Sequence, residues 1–299
     1  MAQAWKCAGL RWAADGPVLT WVGGRRSALP RGKRVAFRVA EGGVRTCVGA
    51  RGHACPVRAG VSARSTGARC EECARLDRAH SVAADTMADD PRPYRVYLAW
   101  FGPGLVKVGI TAYERGSARL LEQGAVCFSW LGCGPLMSAR RTEELLRAAL
   151  GVPDRIPYAH KRAVRAALPE SEAERAAEIA GLHARAVALG GWPEALTPEP
   201  FRGVDHAGVF GIADVFGTAG AERGPAAVAE VAELVAGGAI GGELVAAAGP
   251  DLHLATERGV VVLDTRLMTG WELVSAEGEP CAVPLRELKR AAGVQDGLF

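Results

Sequence analysis

Two runs of mostly apolar residues, "VYLAWF" at Val96–Phe101 and "LVKVGIT" at Leu105–Thr111, flank Gly102-Pro103-Gly104. Strand-forming residues on both sides of a Gly-Pro-Gly break predict a β-hairpin. The period then changes. "YERGSARLLEQGA", Tyr113–Ala125, sets Ala118, Leu120 and Leu121 against Arg115, Arg119 and Glu122, which is helical spacing. "CFSWLGCG" is a third short apolar run. "MSARRTEELLRAALG" reads as an amphipathic helix with Ser138 as its cap and Gly151 as its stop. Ser171-Glu172-Ala173-Glu174 is a capping-box pattern that opens a helix running to about Gly190.

Toward the N-terminus, "PVLTWV" and "KRVAFRV" read as strands, broken by Gly23-Gly24 and Gly42-Gly43. Toward the C-terminus, "AAVAEVAELVAGG" reads as a short helix with a Gly stop, and "GVVVLDTR" and "GWELVSA" as neighbouring strands. Two Pro-bearing stretches, Ala84–Tyr94 and Pro193–Pro200, predict linkers. The expected fold class is α+β. The expected divisions are a β-rich module at 1–90, a small sheet with flanking helices at 91–168, a helical connector at 169–200, and a small α/β or β-rich unit at 201–299.

The net charge of +3 conceals an asymmetry, because residues 1–80 hold 15 Lys and Arg against 5 Asp and Glu. A basic first third favours a phosphate-rich partner, DNA or RNA. Arginine used as a generic solubilising residue explains it equally well. Trp5, Trp12 and Trp21 lie among Arg25, Arg26, Arg31, Lys33 and Arg34, where indoles could stack bases or simply fill a small β core. No apolar run is long enough to span a bilayer. No basic region followed by a long apolar stretch opens the chain, so the expectation is a cytoplasmic protein without a membrane partner.

Eight cysteines are present, and four of them fall in "CVGARGHACPVRAGVSARSTGARCEEC". Thiols clustered in a chain without an export signal point to a metal. Cys70 and Cys73, two residues apart, can turn two thiolates onto one ion, with Cys47 and Cys55 completing a tetrahedron. Four thiolates suit a closed structural zinc site. The Cys47–Cys55 spacing is wide, so His53 is an alternative to either early ligand and Cys7 a more distant one. Unrelated buried thiols are a further reading. A redox pair is another, and it requires a helix starting at Cys70 and Cys73 within a βαβ context, a pattern not visible here.

Position by position, the hairpin resembles the core of the GIY-YIG nucleases. Arg95-Val96-Tyr97 stands for the first triplet and Lys107-Val108-Gly109 for the second, with Arg in place of Gly and Lys in place of Tyr. The resemblance implies a GIY-YIG-like unit over 91–168. It makes Arg115 or Arg119 the helix arginine and Glu143 the ligand of a divalent metal. The run from Cys47 to Ala125, a Cys-rich segment followed by "VYLA…G…KVGIT…R…R…QGA", also resembles the bacterial domain of unknown function 2797 family, which carries no established activity.

The chemistry can be argued from the residues as well. Phosphodiester hydrolysis needs an oriented water and a sink for charge on the phosphate. Tyr97 could activate or orient the water. Arg115 and Arg119, four apart on a helix, could clasp phosphate oxygens. Lys107 would add a cation, and Glu143 suits Mg²⁺ or Mn²⁺. Each has a plainer reading: a strand aromatic, a solvated helix face, a sheet-surface lysine, and a carboxylate paired with Arg140 or Arg147, with Glu144 competing for its role. His160, in a basic run, could approach phosphate or simply sit at the surface, His183 reads as a structural or solvated mid-helix residue, and the sequence names no partner for the Asp205-His206 pair or His253; neither a Walker motif nor a nucleophile elbow is present. The expected function is a metal-dependent nucleic-acid endonuclease or repair-type hydrolase with structural zinc. The alternatives are a non-catalytic nucleic-acid-binding protein or a zinc-containing protein–protein adaptor.

Overall fold

A computed structural model describes residues 3–79, 90, 92–212 and 227–288. The fold is mixed α+β, with one sheet of ten strands and one of five. The smaller sheet is built on the hairpin. Strand β5 (Pro93–Trp100) pairs with β6 (Val106–Ala112) and, along its whole length, with β7 (Cys127–Pro135). Two short strands, β8 (Thr197–Pro198) and β9 (Val204–Asp205), add to the far side of β7. The stretch expected to be a second linker thus contributes a strand.

The near-continuous apolar character of β5 has a physical reason, since both of its faces are buried. Val96, Leu98 and Trp100 join the main core, whereas Tyr97, Ala99 and Phe101 pack on the opposite face with Leu120 and Phe128. Helix α3 (Leu136–Leu150) lies against β5, β6 and β7. Its stop is the expected one: Gly151 takes the left-handed conformation. Its start is not, because Pro135 occupies the cap position and Ser138 is buried one turn inside, its carbonyl accepting a bond from Thr142. Helix α5 (Glu172–Val187) begins with both bonds of the capping box between Ser171 and Glu174. Its Glu178 carboxylate accepts from the Trp100 indole at 2.7 Å and from the Gly104 amide at 3.1 Å, which ties the helix to the hairpin turn.

The helix expected over Tyr113–Ala125 is interrupted. A 3₁₀ turn at Tyr113–Arg115 stops at Gly116, and α2 (Ala118–Gln123) starts afresh. Arg115 and Arg119 therefore do not share one helical face.

The large sheet runs β15 (Leu285–Glu287), β10 (Ala229–Val231), β13 (Gly259–Asp264), β12 (Asp251–Thr256), β11 (Ala239–Ala248), β4 (Arg34–Val39), β14 (Glu272–Ser275), β1 (Trp5–Ala13), β2 (Gly16–Trp21) and β3 (Arg26–Ala28). Strand β4 (Arg34–Val39) sits between β11 (Ala239–Ala248) and β14 (Glu272–Ser275). Strands from the two ends of the chain, assigned to separate modules by their sequence, are therefore hydrogen-bonded neighbours in one sheet. Two expectations fail here. The "AAVAEVAELVAGG" stretch contains strand β10 (Ala229–Val231), not a helix. Pairing with β13 (Gly259–Asp264) on one side and β15 (Leu285–Glu287) on the other overrides the helical propensity of its alanines. β13 and β14 are also not neighbours, since β13 pairs with β12 (Asp251–Thr256). The expected linker Ala84–Tyr94 lies mostly outside the described residues.

Helix α4 (Tyr158–Val164) and the turn after it dock the small sheet on the large one through buried charge. Asp251, with no exposed surface, accepts from Arg162 at 2.6 and 3.0 Å and from Arg165 at 2.5 Å. Arg162 also bonds Asp264, and pairs with Glu230 at 3.0 Å. Burial alone would raise the Asp251 pKa, but the two guanidinium groups outweigh it and hold the carboxyl well below the usual range. Removing one member of such a set strands buried charge, so Asp251→Ala should cost about 3–5 kcal/mol in urea unfolding. A second effect is set by His253, whose pKa burial lowers to about 3. An unfolded histidine binds a proton near pH 6.5, whereas this one stays neutral in the folded chain. Its contribution to stability is therefore present above about pH 6.5 and lost as pH falls through that value and below. The urea midpoint should drop between pH 7 and pH 5, and a His253→Gln chain should lose part of that drop.

Candidate functional site

The chain carries two constellations of chemically active side chains. The first is the thiol cluster. The sulfurs of Cys47, Cys55, Cys70 and Cys73 all lie within 4.8 Å of one another. Four thiolates about 2.3 Å from a central ion require spacing of this order, so the set fits a metal such as zinc. Neither proposed substitute joins it. Cys7 is buried in the main core, and the part of His53 that matters is its main chain, which closes a tight turn with Ala50. That turn presses against Gly49, where φ is +81° and a Cβ would strike the His53 carbonyl. Glycine is required there. The amides of Gly49 and Cys70 both donate to the Cys47 sulfur at 3.3 Å. A helix does start at the Cys-x-x-Cys pair, α1 (Glu71–Ala79), contrary to expectation. Its two thiols nevertheless converge with Cys47 and Cys55, which is a ligand set and not an isolated redox pair.

The cysteine cluster forms a small core of its own, with Ala50, Ala59 and Val61 as its other apolar members. So little apolar surface cannot hold some thirty residues by burial alone. Arg45 anchors the segment. Buried at 1 % exposure, it donates to the carbonyls of Thr269 and Arg266 at 2.8 Å, Ser62 at 2.7 Å and Ser65 at 2.5 Å.

The second constellation lies beside the hairpin. Tyr97 faces Gly109 across the β5–β6 ladder, and its ring lies where a Gly109 side chain would be. Its hydroxyl accepts from Gln123 Nε2 at 2.9 Å. The Gln123 carbonyl accepts from Lys161 Nζ at 3.1 Å, and that ammonium rests 3.7 Å from the Phe101 ring centre. Lys107 donates to the Asp154 carbonyl at 2.9 Å. Glu143, half-buried on α3, does not make the pairing with Arg147 that its spacing allows. Arg147 instead binds the exposed Glu144 at 2.7 Å. Glu144 is thereby held in a solvent-exposed ion pair.

Electrostatics show which of these groups feel one another. Burial raises the Tyr97 phenol, with Arg119, Glu143 and Arg115 acting on it. Burial lowers Lys107 to about 8, with Arg119 adding to the effect and Glu143 and Asp154 opposing it. Burial raises Glu143, Lys107 opposes, and Asp154 adds. Lys161 is lowered to about 7 by burial, with Lys107 next. Arg119 and Glu143 thus act on one Tyr97–Lys107 group, whose ring centre and ammonium are 5.8 Å apart. Arg115 joins it less closely, through Glu122, which it binds at 2.6 Å and which lies 3.9 Å from Arg119. Gln123, Asp154 and Lys161 complete the surroundings and were not singled out by sequence. Gln123 alone had a visible signal, as part of the "QGA" run.

Of the remaining candidates, His160 is exposed on α4, whereas others are built into the fold. His183 and His206 are buried, with ring nitrogens on the carbonyls of Trp130 and Ala125. Asp205 binds Arg175 at 2.6 Å. Among the described residues no helix is long and apolar enough to cross a membrane.

An α+β chain with a four-cysteine cluster docked on a large sheet, and a polar tyrosine–lysine–glutamate group on a smaller one, defines the class. The chain belongs to the family described as a protein of unknown function (DUF2797), whose model matches residues 32–273. Comparison with curated proteins and with solved structures finds no match.

A metal at the cysteines should copurify at one equivalent per chain. Cys73→Ser should lose it, and chelation of the wild-type chain should lower the unfolding temperature. Elemental analysis alongside thermal unfolding checks both.

Proposed function

We propose that the chain is a metal-dependent phosphodiester hydrolase of GIY-YIG type acting on DNA or RNA, an endonuclease or repair-type enzyme. The observation that carries the reading is that the Lys107 ammonium lies 5.8 Å from the Tyr97 ring centre, with Arg119 and Glu143, from two different helices, acting on both.

In this reading Glu143 holds one Mg²⁺ or Mn²⁺. The fit is chemical: a half-buried carboxylate with Asp154 acting on it is a hard, anionic oxygen site, and a cation would relieve what burial and Asp154 impose on it. A divalent ion there supplies charge neutralisation at the phosphate and makes a water more acidic. Arg115 and Arg119 bind phosphate oxygens in place of Glu122, their resting partner. Lys107 adds positive charge beside them. Tyr97, like any phenol, is neutral at physiological pH, and burial pushes its pKa further up. It therefore orients a water or an oxygen and does not act as a base. Since Gln123 donates to its oxygen, the phenolic proton is left to donate.

A second reading is a nucleic-acid-binding protein that keeps this arrangement without turnover. Two observations favour it: Lys107 replaces the second tyrosine, and Tyr97 is only 1 % exposed.

The test is nicking of plasmid and branched DNA with Mg²⁺ or Mn²⁺. The wild-type chain should cut. Glu143→Ala and Arg115→Ala should each lose roughly a hundredfold or more, the scale seen when a charge-stabilising group is removed from a hydrolase. Cleavage unchanged in both variants would exclude this site. Salt-sensitive binding without cutting would select the second reading.

A further inference from the structure

The tryptophans near the N-terminus separate into two kinds. Trp12 is buried in the core and donates to the Gly249 carbonyl at 2.8 Å, so it is unable to stack on anything outside the protein. Trp5 and Trp21 are partly exposed, and together they line a cavity of about 390 Å³ on the large sheet. Phe37 of β4 also lines it, and Gln3 and Ser27 add polar edges. The Trp21 indole is fixed by a 2.9 Å bond to the Ser27 hydroxyl. Arg25 lies 4.4 Å from the centre of the Trp5 ring and is the one charged residue lining the cavity.

We infer that this cavity is a stacking site for an unpaired nucleobase of a single-stranded nucleic acid, separate from the residues around Glu143. Three features select that occupant. Two indoles and a planar guanidinium offer flat surfaces of the kind on which bases stack. An amide and a hydroxyl can meet the polar edge of a heterocycle. The charge is complementary to a phosphate chain: the cavity has a cation and no acid, and the exposed Arg26 and Arg34 stand on the strands that carry Ser27 and Phe37. The volume is that of a small-ligand site and too small for a duplex. The inference rests on the nucleic-acid reading above, but not on cleavage.

The experiment is fluorescence anisotropy of a labelled short single-stranded oligonucleotide against the full chain, at low salt and without divalent cations. A second oligonucleotide carries abasic spacers in place of its bases. Trp21→Ala and Trp5→Ala should each weaken binding of the normal strand roughly tenfold to a hundredfold, the worth of one stacked base, and Trp21→Phe should bind nearly as wild type. The abasic strand should bind the wild-type chain weakly and be indifferent to Trp21→Ala. Zinc content and unfolding midpoints matched to wild type exclude misfolding as the cause. Tight binding that ignores the tryptophans and the missing bases overturns the stacking site and leaves the nucleic-acid reading standing. Absence of any binding overturns both. Tryptophan-dependent binding by a chain that fails to nick DNA upholds the stacking site while the hydrolase reading falls.

Discussion

The contact on which the candidate site depends is the packing of the Tyr97 ring over Gly109. These two residues face each other across the β5–β6 ladder, and there is no room for a side chain at Gly109. The absence of a Cβ lets a large aromatic side chain lie flat on the neighbouring strand, with its hydroxyl directed at Gln123. Helix α2 is thereby tied to the hairpin, and Gln123 passes the link to Lys161 of α4. One small residue in one strand thus aligns a strand, a short helix and a second helix around the same polar group. The cost is burial, and it shows in four of the side chains. Tyr97 and Glu143 are raised, and Lys107 and Lys161 are lowered. Four side chains pushed toward neutrality are poised to respond to a charged ligand.

Two further supports differ in their physics. Helix α4 is held to the large sheet by Arg162 and Arg165 on the buried Asp251, where ionic geometry does what apolar packing does elsewhere. The cysteine segment has almost no apolar core, and depends on its sulfurs and on the four carbonyl bonds of Arg45. The first support stays charged across the ordinary pH range, and the second would respond to metal availability once its four sulfurs hold an ion. The cavity bounded by Trp5 and Trp21 requires neither directly, since it is formed by neighbouring strands of the large sheet.

Local signals in the sequence proved readable where a short-range physical rule governs. The hairpin, the capping box at Ser171, the glycine stop at Gly151 and the four-cysteine set all follow from neighbouring residues alone. Long-range pairing was not readable. Nothing near Arg34–Val39 announces that it will lie between strands some two hundred residues later, and the alanine-rich stretch at Ala229–Val231 became a strand because two partners were waiting for it. The Tyr113–Ala125 helix is interrupted for a local reason: apolar spacing continues across Gly116, which breaks the helix by its own backbone freedom. Within the candidate site, the residues carried by the family resemblance were visible. Asp154 and Lys161 were not, because only the tertiary fold brings loop and helix residues after α3 back beside the hairpin.

Crystals soaked in Mn²⁺ test the central claim most directly. Apart from any metal held by the four cysteines, the expected result is a single anomalous peak against the Glu143 carboxylate, absent from Glu143→Ala crystals. Peaks confined to exposed acids such as Glu72, with nothing at Glu143, would contradict it.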